Sequence, residues 1–188
     1  MRPGLAAAEA VESMASMERD RISSVPASGE RPEAVPCPGA GDAPLCIREV
    51  RQVTPALVEA MGRLLPQLSE RLQTPDAEEL GRIAGSPSSV LLVAECGGCI
   101  VGSLTLVWYD APSGRKAWIE DVVVDAARRG EGIGEALVLE ALSRAGAAGA
   151  QRVMLTSSPV RRAAHALYRK VGFDVAETTV FVRKMDKS

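Results

Sequence analysis

The sequence predicts an α/β (α+β) fold, a mixed β-sheet covered by about four helices. Three observations lead there. Hydrophobic residues make up 46% of the 188-residue chain, enough to bury one domain core with an appendage to spare. In the second half, strand-like and helix-like runs alternate. In the middle, two strand-like runs meet at Gly97-Gly98, a two-residue hairpin signal. Hairpins combined with crossovers give a mixed sheet rather than a wholly parallel one.

Residues 1–44 stand apart. They hold six of the twelve prolines, no aromatic residue, and four basic against seven acidic side chains. With little to bury and many turn formers, this extension is expected to be mostly disordered, with a weak helical tendency between Leu5 and Met17. The folded domain is expected over 45–186. Its first strand runs from Leu45 to Val50. Thr54-Pro55 then joins an N-cap to a proline at the first helical position, opening a helix to about Leu65 that Pro66 helps to end. Thr74-Pro75-Asp76-Ala77 repeats that start signal for a second short helix, to about Ala84. Val90 to Cys96 and Ile100 to Tyr109 read as strands joined at the glycine pair. Pro112 and Gly114 mark the next turn, and Trp118 to Asp125 the next strand. A glycine-rich loop leads into a helix over Ile133 to Ala148. Strand Arg152 to Thr156, helix Arg161 to Val171 and a last strand, Thr178 to Met185, complete the order.

A net charge of −2 supplies no basic field for nucleic acid. The apolar runs all fall short of the ~20 residues that a membrane span needs. The N-terminus lacks the order of a secretory signal, and Glu9, Glu12, Glu18 and Asp20 argue against an organellar transit peptide. A reducing cytoplasm is therefore expected, with Cys37, Cys46, Cys96 and Cys99 as thiols. Cys96-Gly97-Gly98-Cys99 matches a C-x-x-C spacing but reads first as a hairpin turn. With no second such pair and no histidine nearby, metal binding or redox chemistry is the minor reading, and no metal is expected.

Chemistry concentrates in three places. Arg129-Gly130-Glu131-Gly132-Ile133-Gly134 follows a strand and opens a helix. Alternating glycines at a helix N-terminus leave backbone N–H groups unpaired and unshielded, which favours a phosphate or pyrophosphate. Arg128 and Arg129 add positive charge at the mouth. A purely structural turn is the competing reading. The loop fits neither the G-x-G-x-x-G frame nor the G-x-x-x-x-G-K-[ST] frame of nucleotide sites.

Glu120 and Asp121 interrupt the apolar run from Trp118 to Val124. Buried carboxylates are costly without partners, and strand neighbours point to opposite faces, so one of the two can face a given site. A desolvated carboxylate has a raised pKa and accepts a proton better near neutrality. A solvent-facing or arginine-paired strand end explains them equally well. Tyr168 shares a helix stripe with Ala164 and Val171, so core packing is the default, although its hydroxyl can reach a site edge. The single histidine, His165, lies on a neighbouring face, and no G-x-S-x-G or H-E-x-x-H supports a hydrolase.

Two segments then carry a resemblance. Val124-Asp125-Ala126-Ala127-Arg128-Arg129-Gly130-Glu131-Gly132-Ile133-Gly134 resembles motif A of the GNAT superfamily of acyl-CoA-dependent N-acetyltransferases, with its Q/R-x-x-G-x-G/A core. Ala164-His165-Ala166-Leu167-Tyr168-Arg169-Lys170-Val171-Gly172-Phe173 resembles the later A-x-x-L-Y-x-x-x-G-F signature. The resemblance covers roughly 45–186. It implies a mixed, mostly antiparallel sheet of six to seven strands with about four helices, and acetyl-CoA as cosubstrate. The backbone from Arg129 to Gly134 would hold the pyrophosphate, with Arg128 nearby. Strand 118–124 would splay from strand 152–156 at a bulge, exposing backbone at Val122, Val123 and Val124 to the pantetheine arm. An N–H near Val122 would polarise the thioester carbonyl.

Glu120 or Asp121 is the implied base and Tyr168 the implied acid toward the departing thiolate, in a direct transfer without an acyl-enzyme. Many relatives have asparagine where this chain has Arg161, so a phosphate contact from Arg161 or Arg162 replaces the usual one in this reading. The implied acceptor is a small-molecule primary amine. Ile119 to Val124 is similar to the strand of glucosamine-phosphate acetyltransferases, which keeps an amino sugar open. A protein N-terminal or lysine acetyltransferase, and a non-catalytic acyl-CoA-binding regulatory module, are the alternatives. Relatives are often dimers, so a homodimer is a further expectation.

Overall fold

One twisted sheet with two apolar faces organises the chain in a computed structural model, which describes residues 43–185. Strands β1 (Cys46–Glu49), β2 (Ser89–Cys96), β3 (Cys99–Tyr109), β4 (Lys116–Val124) and β5 (Arg152–Leu155) lie side by side in that order. The first three pairings are antiparallel and β4 pairs with β5 in parallel. Helices α1 (Pro55–Leu68) and α2 (Ala77–Ala84) precede β2, α3 (Ile133–Ala147) crosses from β4 to β5, and α4 (Arg162–Lys170) follows. The class is the expected one: mixed, mostly antiparallel, with four helices. The expected extension over 1–44 lies, except for its last two residues, outside the described residues.

Period-2 alternation divides the sheet residues between two cores. Leu92, Ala94, Leu104, Leu106, Ala117 and Ile119 pack against Leu137, Val138 and Ala141 of α3. On the opposite face, Leu91, Val93 and Ile100 pack against Leu57, Met61 and Leu64 of α1 and Leu80 of α2. Each fully buried leucine contributes roughly 1.5–3 kcal/mol by leaving water. Between β2 and β3, Gly97 and Gly98 take positive φ of 58° and 78°, as a two-residue type I′ turn demands.

Three expectations change. Among the described residues the strand expected at 178–185 pairs with nothing, and the sheet has five strands rather than six to seven. Its alternate residues Val180 and Val182 line a cleft instead of a core, while Phe181 is 91% exposed. Helix α1 continues through Pro66 to Leu68. Proline in the last turn forfeits one bond, the one to Gly62, and the helix still closes with Ser69 N–H on Leu65 O at 3.1 Å. Helix α2 starts from Asp76 rather than Thr74, because Asp76 and Glu79 form a reciprocal capping box at 2.8 and 3.0 Å.

Candidate active site

The site is built around an irregularity in β4. Ser103 pairs with Val123 and Thr105 with Glu120, so two residues of β4, Asp121 and Val122, face the single Leu104 of β3. This bulge holds Asp121 at φ 50°, the left-handed region that costs an L-residue roughly 1–2 kcal/mol and that aspartate tolerates better than most. The extra residue reverses the alternation: Ala117 and Ile119 face α3, whereas Val123 faces α1. On its other side, β4 pairs with β5 only as far as Ile119 with Leu155. Beyond that point the two strands part, and the β4 edge from Glu120 to Val124 is left uncovered by β5.

A cleft of about 530 Å³ opens at this parting. Glu120, Asp121 and Val122 of β4 form one wall, Leu155 to Ser158 and Tyr168 another, and Leu68 at the end of α1 with Ser69 and Leu72 beyond it a third. Desolvation raises the Glu120 pKa, and the neighbouring Asp121 charge raises it further. The Trp118 indole N–H opposes this in part, without reaching standard hydrogen-bond geometry. Burial likewise raises the Tyr168 pKa, offset in part by Arg161. Its proton therefore stays on at neutral pH. The Tyr168 ring meets Phe173 edge-on at 6.0 Å between centroids, which fixes where the hydroxyl points. Arg161 lines the cleft and donates from Nη2 to Leu68 O at 2.8 Å, tying the end of α1 to the start of α4.

The glycine loop lies at the other end of the exposed β4 edge. Asp125, 7% exposed, anchors it. Its N–H donates to Val101 O at 2.9 Å, and its carboxylate accepts from Ala127 N–H at 3.1 Å and Arg63 Nε at 3.3 Å. Gln67 of α1 accepts from Ala126 N–H at 2.7 Å. The chain then makes a 3₁₀ turn, Ala126–Arg128, and enters α3 through Gly132. Gly130 and Gly132 take positive φ of 88° and 79°, and a Cβ on either would meet open space. Among the described residues, no bond caps the N–H groups of Gly132, Ile133, Gly134 and Glu135. Four bare amides at the positive end of a 15-residue helix, behind a loop whose Gly130 and Gly132 border open space, fit a pyrophosphate.

Several expected site residues have narrower roles than their spacing implies. Gly134 has no positive φ; its missing Cβ makes room for Leu167, whose Cδ2 would lie at 3.2 Å. Ile133 and Val123 bury their side chains, at 3% and 4% exposed, and offer a ligand only their backbone. Arg128 does not stand free at the mouth. Its Nε reaches both Glu131 carboxylate oxygens at 2.8 Å, and its Nη2 lies 3.5 Å from Cys96 Sγ. The pair holds the Glu131 pKa low and neutralises a charge that would repel phosphate. Arg129 Nε turns back to Val124 O at 3.3 Å. Sequence reasoning missed Ser157, whose Oγ is buried in the cleft wall without a partner, and gave Arg63 no role at the loop. Neither lies in a local pattern; both emerge from contacts across the fold.

This loop-and-cleft arrangement on a parted β4–β5 pair is that of an acetyltransferase. Residues 57–173 match the acetyltransferase (GNAT) family, and the chain belongs to it. No curated protein shows significant sequence similarity to the chain. Among solved structures it is similar to the aminoglycoside acetyltransferase meta-AAC0020 from an uncultured soil metagenomic sample, in complex with trehalose. That likeness has 23% identity and a TM-score of 0.67 over 76% of this chain and 97% of the other. It is similar to a transcriptional regulator from Bacillus halodurans C-125, with 28% identity and a TM-score of 0.65 over 74% and 99%. It also resembles AAC(6')-Iy bound to the bisubstrate analogue CoA-S-monomethyl-acetylneamine, with 19% identity and a TM-score of 0.62 over 77% and 100%. Among the described residues no helix is long and apolar enough to cross a membrane, and no cluster of His, Cys, Asp and Glu could hold a metal ion.

Proposed function

We propose that the cleft moves an acetyl group from acetyl-CoA to a small-molecule primary amine, by direct attack within a ternary complex. One observation carries the reading: bare amides at the start of α3 and the uncovered edge of β4 lead into the cleft that holds Glu120 and Tyr168. Acetyl-CoA supplies an activated thioester. The amides from Gly132 to Glu135 bind its pyrophosphate, and the β4 edge at Val122 to Val124 binds the pantetheine arm as an added strand. A main-chain N–H near Val122 holds the carbonyl oxygen as it gains negative charge. Glu120, its pKa raised, takes the proton of the acceptor ammonium, directly or through water, with Asp121 as the alternative. Tyr168 gives its hydroxyl proton to the leaving sulfur, and the proton that the nitrogen sheds on becoming an amide returns the phenolate to phenol, directly or through water.

The ionisable groups of the cleft support a small acceptor carrying one ammonium. Among the described residues lining the cleft, Glu120 and Asp121 are opposed by one cation, Arg161, and Leu68, Leu72, Val180 and Val182 supply apolar wall. The two aminoglycoside enzymes among the similar structures make amino sugars part of any acceptor panel. Thiol release from acetyl-CoA across small amines, amino sugars and peptides tests the reading. Turnover on small amines is expected. Turnover on peptides alone would favour a protein acetyltransferase, and tight acetyl-CoA binding without any turnover a regulatory module. A homodimer accords with the open outer edge of β5 and the exposed Val180, Phe181 and Val182, and light scattering tests it.

A further inference from the structure

We propose that Cys96 and Cys99 form a reversible dithiol–disulfide site which, when oxidised, loosens the grip of the loop on acetyl-CoA; the second half of this statement rests on the reading of the loop given above. The two cysteines are direct cross-strand partners at the closed end of the β2–β3 hairpin. Their side chains leave the same face of the sheet, and both touch the core beneath α3. Residues opposed in an antiparallel ladder have Cα atoms about 4.5 or 5.5 Å apart, and both values lie within the span of a disulfide. Both cysteines are free thiols. The turn between them consists of glycine alone, so no side chain resists its tightening.

Unequal exposure sets the order of events. Cys96 is 2% exposed, while Cys99 is partly open to solvent. The Cys99 thiolate attacks a low-molecular-weight disulfide such as glutathione disulfide, forming a mixed disulfide and releasing one glutathione thiolate. The Cys96 thiolate then attacks the Cys99 sulfur and displaces the second. The protein loses two electrons and two protons, and the two glutathione thiols gain them. A ring this short gains little from chain-entropy restriction, so the bond stays easy to reduce, as a sensor in a reducing compartment requires.

The buried sulfur connects this site to the loop. Cys96 Sγ donates to Ala43 O at 3.0 Å and lies 3.5 Å from Arg128 Nη2. Arg128 in turn clamps Glu131, which sits between Gly130 and Gly132. Arg128 Nη1 is already buried without a partner. Turning the Cys96 sulfur toward Cys99 takes away the second contact of Nη2, which leaves the guanidinium poorly satisfied in place. As it moves toward water, the Glu131 carboxylate is released beside the phosphate cradle.

The test uses the full chain with Cys37→Ser and Cys46→Ser, so that two thiols remain. It is incubated with glutathione disulfide and followed by intact mass and by acetyl-CoA titration. An intramolecular disulfide is expected, seen as the loss of two hydrogens. Acetyl-CoA affinity should fall roughly threefold to tenfold, the size of one hydrogen bond lost, and return with dithiothreitol. Adding Cys99→Ser should leave reduced-state affinity unchanged and abolish the response. A stable glutathione adduct without ring closure would overturn the proposal, as would a disulfide that leaves affinity unchanged. If the reduced protein binds no acetyl-CoA, the reading of the loop fails, whereas the mass measurement still decides on the disulfide.

Discussion

Gly132→Val separates the two reasons for a glycine at the mouth of α3. Gly132 sits at φ 79°, where a valine is strained, and a Cβ added there meets nothing within 4 Å in the free protein. The stability cost is therefore backbone strain alone, roughly 1–2 kcal/mol. For a domain of this size that lowers Tm by roughly 2–8 °C. Ligand binding should suffer far more, because the valine branches fill open space beside the bare amides at the start of α3. Losing two charge-assisted hydrogen bonds, each worth about 1.5–3 kcal/mol, weakens binding at least about a hundredfold. Gly149 supplies a matched control. It has the same φ of 79° and the same open surroundings, but it lies beyond the far end of α3, where Ala150 N–H closes on Ala145 O at 2.9 Å. Gly149→Val should cost similar stability and leave acetyl-CoA binding within about twofold. Calorimetry of acetyl-CoA binding with melting curves for both variants decides the matter. Equal affinity in the two variants would refute the phosphate role of the loop.

Other predictions address the cleft. Tyr168→Phe should lower kcat by about 10²-fold, in the range for loss of one general acid, with acetyl-CoA affinity within about twofold; a kcat unchanged at all pH values removes Tyr168 from the chemistry. Glu120 has a pKa above the usual carboxylate range, so its base form is lost as pH falls through that raised value, and kcat/KM should show an acid limb there. Glu120→Gln should lower kcat/KM by about 10²-fold and erase the limb, and persistence of the limb would assign it elsewhere. Asp121→Val at φ 50° should destabilise by about 1–2 kcal/mol in urea melts, while Asp121→Gly should be near neutral, since relieved strain and added chain entropy offset. Equal stability in the two variants would deny that the bulge stores strain.

Much of the fold was legible because its signals are local. The glycine pair at 97–98, the Thr54-Pro55 start and the apolar run from Val90 to Cys96 each act within a few residues, and each element formed where they placed it. Pro66 misled because a proline's effect depends on where in a helix it falls, and in the last turn it removes one bond rather than breaking the helix. The β-forming run Val180-Phe181-Val182 read as a strand, but such a run supplies no pairing partner by itself, and here Val180 and Val182 line the cleft. At the site, backbone roles were more readable than side-chain roles. Glycine spacing at a helix start announces bare amides, whereas the turn of Arg128 onto Glu131 and Cys96 depends on β2 lying beneath the loop. Nor does sequence reveal which side of β4 a carboxylate takes, because one extra residue reverses every later assignment.

That extra residue makes length, not only composition, a constraint on this enzyme. Deleting Asp121 or Val122 would leave one residue opposite Leu104 and make the ladder regular, with Val123 still opposite Ser103 and still on the α1 side. Both layers would still be filled, yet the bend that the bulge gives β4, just beyond the last pairing with β5, would be gone. Point substitutions along β4 can be absorbed by repacking; a missing residue cannot.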